Sequence, residues 1–159
     1  MALSAGGDLS VGSGGARSTG STLSLSGDAI SVAGAQGLPG ALGSAGAMTL
    51  TAVRGITLDA NVAAGAFTAT AGTAFSQGAT RSIDAGGGNL GINVVGELAT
   101  GTLLAAGAVT LQSTQGAVDI GGAIGGAGDA RVASLQVAGR DGVTLRGGAR
   151  VAGTTALAS

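Results

Sequence analysis

The chain has 159 residues, enough for one domain, and a formal charge of −1 from seven basic and eight acidic side chains. Thirty-four glycines, one proline, two phenylalanines and no Tyr, Trp, His, Cys or Lys leave Ala, Val, Leu and Ile to supply the apolar burial, and side chains this small fit a narrow stacked core but fill an ordinary two-layer domain poorly. The lack of cysteine excludes a disulfide framework and a thiolate metal site, the scattered arginines give no basic patch for nucleic acid, and the uncharged run 29–53 is broken by Gly and Ser too often to insert in a membrane as a helix.

In chain order, Met1-Ala2-Leu3-Ser4 carries neither the charged leader nor the apolar segment of a signal peptide. Residues 1–20 read as a weak first coil, with Leu9 and Val11 as an apolar pair and Gly12 to Gly15 as its corner. Residues 21–32 hold two apolar-polar-apolar triplets, Leu23/Leu25 and Ile30/Val32, around the turn Gly27-Asp28. Residues 33–47 are the most loop-like part, and Pro39, which cannot donate to a ladder, is expected in a protruding corner there. Residues 46–62 return to triplets, Met48/Leu50 and Ile56/Leu58, with a third apolar position at Val62. Phe67, Ala69 and Phe75 predict one or two strands in 63–82, with the two aromatics inside or close to one another. Ile83, then Leu90, Ile92 and Val94, then Leu98, Leu103 and Leu104 continue the alternation through 83–104.

The pattern is fullest in residues 107–124: Val109-Thr110-Leu111, a connector with Gly116, Val118-Asp119-Ile120, two glycines and Ile124. Residues 133–151 repeat its order of parts, with Leu135/Val137, Val143/Leu145 and a third position at Val151. In a strand, alternate side chains point to opposite faces, so each triplet buries its outer residues and shows the middle one to water. A coil of three such triplets has an apolar inside and a polar outside but cannot close itself above or below. Stacking the next coil at about 4.8 Å pairs the backbone along the axis and continues the core, which makes a parallel β-helix. First triplets near 23, 48, 67, 83 or 90, 109 and 135 predict about six coils of three short strands in one all-β domain over 1–159. Low-complexity disorder is the competing reading of so much Gly, Ala and Ser, and the β-branched triplets and low charge oppose it.

Chemistry-bearing motifs are few. GGGNLG, residues 86–91, has the spacing of a dinucleotide fingerprint, but the residues after it alternate as a strand where a helix would be required, so a coil corner is expected. GGAGDARVA, 125–133, is close to a calcium-binding nonapeptide, yet Asp129 lies one position early and no tandem copy follows; a solvated turn is expected. Asp8, Asp28, Asp129, Asp141 and Glu97 adjoin glycines and read as turn residues. Asp59, Asp84 and Asp119 lie in or beside strands and should face outward, where carboxylates of neighbouring coils could form the acid pair of a polysaccharide-cleaving enzyme; the near absence of aromatics leaves little to stack a sugar on. Arg140-Asp141-Gly142 is not the integrin tripeptide. Thr49/Thr51 and Thr68/Thr70, 19 residues apart, would start the threonine ladder of an ice-binding solenoid, but no Thr-x-Thr follows between 80 and 99. No catalytic residue, metal site or cofactor is assigned.

The triplet-glycine-triplet segments GAVTLQSTQGAVDIGGAI and AGRDGVTLRGGARVAG resemble the haemagglutinin repeats of filamentous haemagglutinin-like exoproteins, a likeness of pattern and composition over residues 5–153. The resemblance implies a single-stranded, right-handed parallel β-helix forming the shaft of a large secreted adhesin on the bacterial surface. It also implies export through an outer-membrane transporter of the two-partner type. The family's secretion domain carries Asn-Pro motifs, and none occurs here. Neither a toxin domain nor a receptor-binding tip is recognisable, and repeat-like sequence runs to both ends, so a shaft fragment is expected. Its partners would be neighbouring coils of the same chain and, through outer loops, a host glycan or protein.

Overall fold

The computed structural model describes residues 1–19, 22–34, 42–126, 128 and 130–159. Coil one is β1 (Ala2–Ser4), β2 (Leu9–Val11) and β3 (Ala16–Ser18); coil two is β4 (Thr22–Gly27), β5 (Ile30–Val32) and β6 (Leu42–Ser44). Coil three is β7 (Ala47–Ala52), β8 (Ile56–Leu58) and β9 (Val62–Ala63); coil four is β10 (Ala66–Ala71), β11 (Phe75–Gln77) and β12 (Ser82–Asp84). Coil five is β13 (Leu90–Val94), β14 (Leu98–Thr100) and β15 (Thr102–Leu104); coil six is β16 (Ala108–Ser113), β17 (Val118–Ile120) and β18 (Ile124–Gly125). Coil seven has β19 (Ser134–Gly139) and β20 (Val143–Leu145), and β21 (Thr155–Ala158) opens an eighth.

Every third strand pairs in parallel with the last, giving sheets of eight, seven and six strands that form the three sides of a parallel β-helix of about seven turns. There is no helix among the described residues. The triplets stack as the alternation requires: Leu25, Leu50, Ala69, Ile92, Leu111 and Val137 form one inward row of the first sheet, in strict register. Ile30, Ile56, Phe75, Leu98 and Val118 form a row of the second, and Leu42, Val62, Ile83, Leu103 and Ile124 one of the third. All of these are buried in one continuous core.

Four details differ from expectation. The coils number seven rather than six, because the weak first coil is formed in full. Of the two starts left open for the fifth coil, 83 or 90, Leu90 is the one taken, and Ile83 belongs to the third side of coil four. Residues 42–44, inside the segment read as a loop, are β6, while Pro39 lies outside the described residues. On the third side of coil seven Ala149 sits in register with Ile124, and Val151 bridges Val132 instead. First-sheet strands also outrun the triplet: five of them have six residues, adding a third inward position at Ala52, Ala71 and Ser113 among others.

Both aromatics lie in coil four, Phe67 on the first side and Phe75 on the second, each 1% exposed. Ala69 stands in that coil where its row has Leu50 below and Ile92 above. The small residue leaves room for the rings, so the core section keeps its volume as close packing demands.

The corners stack as tightly as the strands. Thr73 N–H donates to Arg54 O at 2.8 Å and Gly96 N–H to Thr73 O at 2.7 Å, carrying the ladder through three successive turns of the first corner. A Cβ on Gly72 would fall 1.9 Å from Val53 O, and one on Gly101 2.1 Å from Arg81 O, so backbone of the coil below occupies the space of a side chain. Gly72 and Gly101 are there for close approach between coils, whereas a side chain at Gly87 or Gly148 would meet open space.

Candidate functional surface

Outward residues follow from the same alternation. On the first sheet the two outward rows run Ser24, Thr49, Thr68, Gly91, Thr110, Gln136 and Ser26, Thr51, Thr70, Asn93, Gln112, Ala138. This side is uncharged, and the threonine pairs Thr49/Thr51 and Thr68/Thr70 sit one above the other with Ser24/Ser26 on the near side. Gly91 and Asn93 end the hydroxyl ladder on the far side.

The three strand acids expected to face outward do so, but none meets another carboxylate. Asp59 accepts from Arg81 Nε at 2.9 Å. Asp84 Oδ1 accepts the Gly86 N–H at 2.8 Å, fixing a corner where Gly86 has φ +52°. Asp119 is held by Arg146 through two bonds, Nε to Oδ1 at 3.0 Å and Nη2 to Oδ2 at 2.7 Å. Among the turn acids, Asp8 pairs with Arg54. Three ion pairs, Asp8–Arg54, Asp59–Arg81 and Asp119–Arg146, therefore join one coil to another along the axis. Among the described residues no three His, Cys, Asp or Glu gather as a metal site. Asp129, the acid of the nonapeptide-like segment, lies outside the described residues. In GGGNLG the chain goes from the Gly86 corner directly into β13, and Asn89 Oδ1 accepts the N–H of Ala108 in the next coil.

The hydrogen bonds from Arg146 hold the Asp119 carboxyl below its ordinary pKa, against an opposing push from desolvation, and the guanidinium charge adds to the lowering. A depressed carboxyl pKa stabilises the fold above the unfolded-state value, and that contribution fades as pH falls through the folded one. With both side chains largely in solvent the contribution is small. Followed by NMR, the Asp119 midpoint should rise toward the ordinary aspartate range in Arg146→Gln; an unmoved midpoint would mean the pair is not formed in solution.

The core also holds polar groups that the apolar triplets do not announce. Gln77, two residues after Phe75 and so inward, accepts from Gly101 N–H at 3.2 Å and donates to Ala60 O at 3.5 Å, tying three coils at one corner. Ser113 donates to Gly96 O at 2.5 Å and accepts from Gly116 N–H at 2.9 Å. Thr100, the inward residue one coil beyond Gln77, is buried with its hydroxyl unpartnered. A shallow depression of about 390 Å³ lies outside this corner, between Ala99, Thr100 and the Asp119–Arg146 pair. An open groove of about 440 Å³ runs between Arg17, Ser18, Thr19 and Ser44 on the third side. Their inward placement, readable by counting two from a core residue, is the signal that could have found Gln77, Thr100 and Ser113.

Compared with family models, with curated proteins and with solved structures, the chain matches none.

Proposed function

We propose that the chain is a structural shaft segment, a passive rod that holds a binding or effector module away from a bacterial surface, as the shafts of filamentous haemagglutinin-like adhesins do. The observation that carries this reading is the repeated pairing: parallel strands stack in register through seven coils on two sides and six on the third, so length is gained by adding coils. At about 4.8 Å per coil the described rod is roughly 34 Å long. The exterior fits passivity. Its strand acids are tied to arginines or backbone, its first side is uncharged, and both aromatics are in the core, while high-affinity contacts lean on exposed Trp, Tyr and Arg. Secretion by a two-partner transporter and display on the cell surface belong to the same proposal and rest on the repeat resemblance.

A second reading, an adhesin segment that contacts glycan or host protein weakly, draws on the groove beside Arg17 and Ser44 at the third side. Binding of the purified chain to a glycan array and to cultured cells separates the two. The shaft predicts no binding above an unrelated β-helix. Binding that disappears in Arg17→Ala, with the circular dichroism of the parent kept, would replace the shaft by the adhesin segment.

A further inference from the structure

The first side has the longest strands, and among the described strands all the charged residues, Arg17, Asp84 and Asp119, lie on the other two sides. Its outward rows are not uniform along the rod. Coils two to four present only serine and threonine in the two rows, whereas coils five to seven carry the amides of Asn93, Gln112 and Gln136. A Cβ on Gly91 would meet nothing within 4 Å, so this residue is an open notch in its row between Thr68 and Thr110.

The two halves complement one another across a two-fold axis that runs along the strands between coils four and five. A second rod related by that axis lies antiparallel on the first, and each outward row faces itself in reverse order. Thr68 then stands over the Gly91 notch of the other copy. Thr51 faces the Gln112 amide, Thr70 that of Asn93 and Ser24 that of Gln136, so hydroxyls meet amides and the shortest side chain meets the longest. In the row beside them Ala47 faces Ala108. Parallel rods would instead set each coil on its own counterpart, hydroxyls on hydroxyls and amides on amides. Two flat faces of short side chains pack about 10 Å apart, and no charge has to leave water for them to do so. Strands of about 20 Å over a span of about 29 Å bury about 1,100 Å² in the pair, just above the ~1,000 Å² that a specific interface needs.

We propose that a second copy of this chain docks on the first side, with its rod antiparallel, about that axis. Rods pair in this way whether or not they carry a module, so the proposal does not depend on the shaft reading.

The chain has no cysteine, so single introduced cysteines report the junction. Thr49→Cys and Thr110→Cys, made in separate full chains, lie opposite one another across the axis, whereas two copies of either one stand about three rungs apart. The two chains are mixed at about 100 μM, where a weak interface of this size is populated, and treated with a short bis-maleimide. The mixture should give a covalent dimer roughly tenfold or more above that from either chain alone. Thr68→Arg in both chains should abolish the product, because it puts a guanidinium into a face that has no carboxylate to receive it. Thr57→Arg, outward on the second side, should leave the product unchanged. Circular dichroism of each variant checks that the β signal is kept. No excess of the mixed product from folded protein overturns the proposal, and so does survival of the product in Thr68→Arg. Equal product from either chain alone overturns it too, by setting the rods parallel. Thermal hysteresis that is lost in Thr68→Arg, with no dimer in the parent, would give this face to ice in place of a second copy.

Discussion

Leu111→Asp should leave no folded protein at neutral pH, while Thr110→Asp, one residue away, should melt within a fraction of a kilocalorie of the parent. Leu111 is fully buried in the row between Ile92 and Val137, and its neighbours above, below and across are apolar. A carboxylate placed there finds no partner and either stays ionised in the core or takes a proton at a large pKa penalty. Destabilisation beyond about 4 kcal/mol is expected, comparable to the whole stability of many domains. Thr110 points out of the same strand between Gly91 and Gln136, where a carboxylate keeps its water. Urea denaturation followed by circular dichroism measures both. Equal damage from the two would mean that the inward and outward faces of β16 are exchanged.

Phe67→Ala is the second large effect. Phe67 is buried between Met48 and Leu90, and its removal leaves a ring-sized cavity in the core, for an expected loss of about 3–5 kcal/mol. The same section contains Ala69, small where Leu50 and Ile92 are large. Adding Ala69→Leu to Phe67→Ala should therefore recover part of the loss, although Ala69→Leu alone should destabilise by about 1–3 kcal/mol through overpacking. Strictly additive losses in the double variant, measured by the same denaturation, would show that the two residues do not share one space.

These two sites are legible in the sequence because strand alternation assigns a face to every second residue. Val109-Thr110-Leu111 and Val118-Asp119-Ile120 read inward-outward-inward from their residue types alone, and the rows confirm each assignment. Alternation is local, however, and does not say which coils are neighbours at a given corner. Arg146 lies 27 residues from Asp119, Arg81 22 from Asp59 and Arg54 46 from Asp8. Those partnerships depend on corner lengths, so alternation alone permits an acid pair between coils, and only the register replaces it with arginine partners. The six-residue strands of the first sheet escape the triplet pattern for a related reason. Their added inward positions are Ala52, Ala71 and Ser113, residues that also suit a turn, and pairing with the strand below makes them strand.

The step between equivalent residues ranges from 19, Leu50 to Ala69, to 26, Leu111 to Val137, yet the three sheets stay in register throughout. Length differences are absorbed where the chain bends, and the strand pairing of adjoining rungs is kept. Such a molecule can gain or lose peptide at its bends in small increments, by natural variation or by grafting an epitope, with the rest of the ladder undisturbed. Decoration and span are then separate variables, each open to change without the other.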